Sequence, residues 1–410
     1  MVLIDFVLLA VSMLLLFYAS FVSISILVVA LQTARATGEL PAGNQEVDIA
    51  CVITAYKDVE IALPLIASIL AQSHADFHIY LIADRCLPHP DLPVDGRLTV
   101  HYPETALNSK LASLKRGLDL RVRPHDAVLV LDPDNLLHPD CLRYLAISFG
   151  EGNKAVQGRR TAKNLDTTLA CLDALGEIYY NFIHKELPYL LGSSAVIAGS
   201  GMLIEMDIFE QYLADFDLNN PSIILAEDKI LQNKLVGRGY KIAYQKSALI
   251  FDEKSSHGDQ VQKQRTRWLK SYFDHLKDVW SLLWAKLAKL EWNGIYFALM
   301  TSTPPLIFLA GGLVLTLSYG LLTNPLVLLI SLVVVCLTAT NWVMALVCSH
   351  TPLLIWKALP FVPVFAGIQV LSLFGFKAVK SDFGVTKHDK LLTFDQVWQE
   401  RKNDFPDLKK

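Results

Sequence analysis

Asp126 to Asn135 read Asp-Ala-Val-Leu-Val-Leu-Asp-Pro-Asp-Asn, which sets two carboxylates, Asp132 and Asp134, just beyond a short apolar run. Such a run reads as a buried strand of a parallel sheet, although the pattern alone also fits a buried helical segment. Open α/β sheets gather their ligands at the carboxyl ends of strands. Two close carboxylates repel unless a cation lies between them. Oxygen-only ligands suit Mg2+ or Mn2+, ions usually shared with substrate phosphates. The same Asp-Pro-Asp-Asn also makes a plain turn that ends a strand, so its companions must decide.

Five further groups have suitable chemistry. Thr54, Tyr56 and Asp58 follow the first apolar run, where a strand-end loop could hold a nucleotide or simply connect two elements. Asp84 ends the second run, where a carboxylate could accept from a base or ribose, or cap a turn. Lys110 opens a helical pattern and could meet phosphate there, or lie exposed as an ordinary surface lysine. Glu227-Asp228 starts another helical pattern: Asp228 could act as a general base, and the pair could equally be helix-capping. Gln264, Arg267 and Trp268 combine an amide, a guanidinium fork suited to diphosphate and an indole suited to stacking on a sugar. A Trp with basic neighbours at a membrane interface is the competing reading.

The elements that must carry these groups follow from periodicity. Strand-like runs at 49–54, 78–83 and 127–131 alternate with helical patterns at 59–72 and 109–118. That alternation predicts βαβ units around a mostly parallel sheet, an α/β fold. A long helix is expected over 165–187, with Pro188 as its stop.

Composition adds a membrane. The 410 residues are 52% hydrophobic and 19% charged, and the net charge of −3 leaves no cationic excess for a nucleic-acid partner. The six cysteines form no Cys-x-x-Cys pair and read as free thiols in a reducing compartment. Residues 6–31 are apolar and uncharged, long enough for the roughly 20 residues a spanning helix needs. The expected organisation is an anchor at 1–32, an α/β domain at 48–262 and amphipathic interface helices at 263–291. A membrane region at 292–376, with two full spans and a bent third segment, then precedes a polar tail at 377–410. Between 263 and 291, aromatic and apolar residues alternate with lysine and arginine at helical spacing, as in helices that lie at an interface. The Lys/Arg-rich tail argues for its retention on the cytosolic side, which two full C-terminal spans satisfy.

Asp84, Asp132-x-Asp134, Glu227-Asp228 and Gln264-x-x-Arg267-Trp268, in that order and followed by apolar spans, resemble the membrane-integrated family 2 glycosyltransferases, the group of cellulose, chitin and hyaluronan synthases. Smaller similarities are Ser68 to Ser73, Lys110 to Leu118, Gly199-Ser200-Gly201-Met202 and Asp252-Glu253. Departures are Ala226 before Glu-Asp, Ala83 before Asp84, and Phe383 in a segment, 383–388, where relatives carry Trp. The resemblance implies the GT-A nucleotide-diphospho-sugar transferase fold, a nucleotide-sugar donor, usually of UDP, and Mg2+ or Mn2+. It implies that Asp84 contacts the base, Lys110 the nucleotide or diphosphate, and Asp132 the nucleotide or donor sugar. Asp134 would hold the metal and Asp228 would be the base. Gln264 and Arg267 would close over the diphosphate, and Trp268 would stack under the acceptor. The expected enzyme is an inverting hexosyltransferase, integral to the plasma or inner membrane with its catalytic domain facing the cytosol. The leading expectation is processive extension and translocation of a β-linked polysaccharide. The alternative is one sugar passed to a lipid, as in ceramide glucosyltransferase. Few spans leave room for an accessory export protein or an oligomer. A membrane-anchored scaffold without catalysis is the reading from another class, and the presence of Asp134 and Asp228 speaks against it.

Overall fold

The computed structural model describes residues 2–33, 46–216, 226–374 and 390–408. Residues 34–45 of the expected linker and the 383–388 segment lie outside the described residues.

After helix α1 (Val2–Thr33), the α/β domain alternates β1 (Ile49–Tyr56), α2 (Leu63–Leu70), β2 (Phe77–Asp84), β3 (Leu98–His101), α3 (Lys110–Asp119) and β4 (Ala127–Leu131). It continues with β5 (Leu136–Leu137), α4 (Cys141–Gly150), β6 (Ala155–Ala162), α5 (Thr168–Asn181) and α6 (Leu187–Leu190). The domain ends with β7 (Met202–Glu205), α7 (Met206–Ala214), α8 (Glu227–Gly237) and β8 (Ile242–Asp252). The eight strands form one sheet in the order β3-β2-β1-β4-β7-β6-β8-β5. β1 pairs in parallel with β2 and β4, and β2 with β3. This half matches the expected parallel sheet, and its inner strands β1 and β4 are apolar on both faces because helices cover both, whereas β3 is a half-buried edge. All five residues of β4 are buried, so truncating one, as in Leu129→Ala, is expected to cost about 2–5 kcal/mol. The other half is mixed: β7 runs antiparallel to β4 and β6, β6 is parallel to β8, and β5 is antiparallel to β8.

The helix expected over 165–187 begins at Thr168, where Thr167 accepts from Ala170 N and caps it. Pro188 does not stop it. Residues Phe182–Glu186 form a π turn and α6 carries the proline inside its first turn. The wider turn accommodates a residue that lacks an N–H, and the His184 carbonyl instead accepts from Val196 N at 3.0 Å.

Beyond the sheet, α9 (Gly258–Ala288) is one helix that starts ahead of the expected 263. It is followed by α10 (Trp292–Thr301), α11 (Leu306–Leu322), α12 (Pro325–Cys348), α13 (Leu353–Ala358), α14 (Val362–Phe374) and α15 (Phe394–Arg401). Three helical stretches are each long and apolar enough to cross a membrane: Leu3–Gln32, Pro325–Cys348 and Leu353–Leu373. The stretch expected as one span from 295 to 322 is instead α10 and α11, bent by 68°. The cause is Ser302-Thr303-Pro304-Pro305, because a proline disfavours helix at the residue before it and lacks the N–H to continue one.

α1 packs against both α11 and α12. Asp5, near its start, accepts from Tyr319 Oη at 2.7 Å and Asn324 Nδ2 at 3.0 Å, so it lies at the turn joining α11 to α12. α13 and α14 pack on the α/β domain side, where Ile355, Ala358 and Phe365 are buried with Cys171, Leu172 and Leu175 of α5 and Val261 of α9. α15 returns to the sheet and buries Val397 with Leu136, Leu249 and Phe251. All six cysteines are free thiols.

Candidate active site

The sheet brings several of the sequence-predicted groups to one place. Ser109 accepts from Ala112 N and caps α3, so Lys110 emerges at the first turn of that helix. Its Nζ donates to Asp132 Oδ1 at 2.7 Å and to the Gly199 carbonyl at 2.9 Å, and lies 3.6 Å from Glu227 Oε1. Burial alone would lower the Lys110 pKa, but the Asp132 and Glu227 carboxylates outweigh it and hold the ammonium well above its usual range. Burial raises the Glu227 carboxyl, with Lys110 pulling the other way.

Ala226 precedes Glu227 in a left-handed conformation, φ +64°, which turns the chain into α8. Asp228 Oδ1 accepts from Lys229 N at 2.8 Å inside the first turn, while the N-cap is Ala226 without a side-chain cap, so the acidic pair is not the N-cap of this helix. The other Asp228 oxygen faces Gly199: a Cβ built there would lie 3.5 Å from Asp228 Oδ2. Asp132, Lys110, Glu227 and Asp228 therefore surround one turn, 198–201, which sequence reasoning noted only as a minor similarity. Buried Gln157 clamps that turn. Its Oε1 accepts from Ala198 N and its Nε2 donates to the Ser200 and Gly201 carbonyls.

The first-strand groups lie beside this cluster and shape it. Asp84 is buried and both its oxygens accept backbone N–H groups, from Leu107 at 3.0 Å and Asn108 at 2.7 Å. Tyr56 Oη donates to Asn108 Oδ1. Asp84 and Tyr56, which face each other in register at the strand ends, thus hold the loop that delivers Lys110. Asp58 caps the following turn by accepting from Glu60 N, and Thr54 pairs in register with Ile82.

Asp134 is buried and sits behind Asp132. Glu253 N donates to its Oδ2 at 3.3 Å and Asn135 Nδ2 to its Oδ1 at 3.5 Å. Among the described residues no three His, Cys, Asp or Glu side chains cluster as a metal cage. A divalent ion still fits the chemistry. Mg2+ and Mn2+ sites use one or two carboxylates, with diphosphate and water oxygens completing the shell, and Asp132 and Asp134 offer two carboxylates one residue apart at the end of β4. Behind it lies a charged layer that sequence reasoning did not assemble. Asp252 accepts from Arg160 at 2.5 Å and Lys254 at 2.8 Å, and Lys254 also pairs with Glu177 at 2.8 Å. Burial would raise the Asp252 pKa, but the two cations hold it well below the carboxylate range. Asp252-Glu253 was its one visible signal. Arg160, Glu177 and Lys254 had none.

Gln264, Arg267 and Trp268 sit on α9. Among the described residues neither Gln264 nor Trp268 makes a hydrogen bond to the Lys110–Asp228 cluster. Gln264 Oε1 is buried without a hydrogen-bond partner, burial lowers the Arg267 pKa, and Trp268 remains 51% exposed. Arg265, between them in sequence, anchors this stretch. It donates to Asp173 of α5 at 2.5 Å and lies 4.4 Å from the Trp268 ring centroid and 5.9 Å from that of Phe365 in α14.

Residues 46–271, more than half of the chain, match the family described as Glycosyltransferase like family 2. The chain belongs to this family. It is an enzyme that moves a sugar from a nucleotide-sugar donor on a GT-A fold. A search of curated proteins returns no match. Among solved structures, the glycosyltransferase is similar over 90% of its length to the mannosyltransferase PcManGT from Pyrobaculum calidifontis, in complex with GDP-Man and Mn2+. That match covers 99% of the other chain at 13% identity and a TM-score of 0.51, a likeness of fold. It also matches S. aureus TarS, over 53% of this chain and 38% of that one, at 14% identity and a TM-score of 0.36.

Proposed function

We propose that this glycosyltransferase passes a single sugar, with inversion, to the hydroxyl of a lipid acceptor at the membrane surface. The observation that carries the reading is the setting of Trp268. It stands half exposed on α9 beside α14, whose outer residues Val362, Val364, Val370 and Leu371 are exposed and apolar. A carbohydrate-stacking ring next to a lipid-like surface suits an acceptor whose head is polar and whose tail is not. The processive alternative needs a path for polymer. The packing of α1 on α11 and α12 supports a lipid instead: a Cβ on Gly312 of α11 would lie 3.6 Å from Val11 of α1.

In this reading Asp228 accepts the proton of the acceptor hydroxyl, a contribution of about 10²–10⁴ in rate. Lys110 and Arg267 face the departing diphosphate, and Asp132 orients the donor. Asp134 would hold Mg2+ or Mn2+, which when bound supplies positive charge against the leaving group. The donor is a nucleoside diphosphate sugar, of uridine or guanosine.

We further propose that the chain crosses the membrane at α1, α11 and α12, with α13 and α14 lying in the leaflet nearest the catalytic domain. The support is that Asp5 meets the α11–α12 turn at one end, while α13, α14 and α15 pack on the domain at the other. The tail then shares the catalytic side.

The test is a panel of radiolabelled nucleotide sugars given to purified protein with Mn2+ and a membrane-lipid extract. A single labelled glycolipid is expected. A ladder of water-soluble polymer would overturn the reading in favour of a processive synthase.

A further inference from the structure

We infer that residues 390–408 are a positioning element of the transfer site, with Arg401 as its positioning residue. The inference rests on the reading of Asp134 as a metal carboxylate. Three strand ends converge behind Asp134. β5 begins two residues after it, β6 ends one residue before Lys163, and β8 ends in Asp252. They form one register row, with Leu136 opposite Phe251, Thr161 opposite Phe251 and Ala162 opposite Asp252.

The tail is fastened to all three. Val397 and Phe405 are buried against Leu136, Leu249 and Phe251. Trp398 packs edge-on against His138, just after β5, with ring centroids 4.9 Å apart. Arg401 is buried and donates to the last carbonyl of β6, that of Ala162, and to Asp404. The next residue, Lys163, donates its Nζ to the Asp134 carbonyl at 3.1 Å. Lys390 pairs with Asp166, which in turn accepts from Asn164, and Asn164 bonds Lys254 in both directions.

A guanidinium is costly to bury, and this one ties the tail, through Asp404, to a strand end of the sheet, through the Ala162 carbonyl. Its path to Asp134 is short: Arg401 fixes the Ala162 carbonyl, Lys163 follows, and Lys163 holds the backbone carbonyl of Asp134, on which the carboxylate is carried. From the other side, Val397 and Phe405 press on Leu136, two residues beyond Asp134. Partners one step removed from a metal ligand set its orientation, and their loss typically costs 10–100-fold in metal affinity or activity. The tail supplies such partners from a segment distant in sequence.

The experiment uses the full chain in detergent, the variants Arg401→Gln and Arg401→Lys, and a chain ending at residue 389 to which a peptide of residues 390–410 is added. Two quantities are read: the Mn2+ concentration giving half-maximal transfer, and backbone amide exchange at Leu136 and Leu137 without metal or donor. Arg401→Gln is expected to raise the half-activating Mn2+ about tenfold and to speed exchange at both amides. Arg401→Lys should recover part of both effects, and the peptide should restore both in the shortened chain. Faster amide exchange with unchanged Mn2+ dependence would overturn the inference, leaving the tail a merely structural cover. Full-length enzyme indifferent to Mn2+ would instead overturn the metal reading. The tail inference would then be judged on the donor KM, which Arg401→Gln raises if the inference holds and leaves unchanged if it fails.

Discussion

Lys110 Nζ donates to the carbonyl of Gly199 at 2.9 Å, so the helix that carries the cation and the turn that faces Asp228 are tied together. Gly199 has φ +73°, a conformation that costs an L-residue about 1–2 kcal/mol. A methyl there would lie in van der Waals contact with Asp228 Oδ2, so the backbone change needed to relieve the strain is passed to that carboxylate. Gly199→Ala is expected to fold and to bind donor, but to lose about 10²-fold in turnover, as misplacement of a reacting group by about an ångström does. Steady-state kinetics check this, and an unchanged kcat would contradict it.

Lys110 also separates two carboxylates, Asp132 and Glu227. Lys110→Met leaves them facing each other without a cation. Donor affinity is expected to fall about tenfold or more, the worth of one charge-assisted hydrogen bond. Calorimetric titration with the nucleoside diphosphate measures it. Equal affinity would show that the lysine serves only the fold.

A different lysine makes stability depend on pH. Lys185 in the π turn is 1% exposed and donates to Asn181 Oδ1 at 2.7 Å. Burial lowers its pKa to about 7, against the opposing pull of Glu177. In the unfolded chain it titrates near 10.4, at about the usual lysine value. Between those values the unfolded state holds more protons, so the lysine's contribution to stability rises with pH across that window. The Tm gap between wild type and Lys185→Met should therefore move in favour of the wild type from pH 7 to pH 9. A gap constant across that range would contradict the assignment.

Topology is open to labelling. In a cysteine-free background, single cysteines at Asp119 and Lys402 should react with a membrane-impermeant maleimide from one side, and a cysteine at Thr323 from the other. Lys402 reacting together with Thr323 would mean that 353–373 crosses after all.

Much of the fold was legible because burial on both faces leaves a plain record. Ala127–Leu131 is a strand over the same five residues that its apolar run marked. The strands of the mixed half left weaker marks: β6 carries Gln157 and Arg160, whose side chains serve the turn and the buried charge layer rather than an apolar face. Pro188 misled because a π turn has room for it. Of the site, the carboxylates and Lys110 were visible as motifs. Gly199 was faint, since its role depends on a backbone angle. Arg160, Glu177 and Arg401 were invisible, since each acts across a long stretch of chain on a partner that only folding supplies.

The central claim is that Asp228 takes the acceptor proton beside a donor held by Lys110 and Asp132. The direct measurement pairs transfer rate with nucleotide binding in Asp228→Asn. The account predicts a loss of at least about 10²-fold in transfer with donor binding retained. Near-normal turnover in that variant would contradict it.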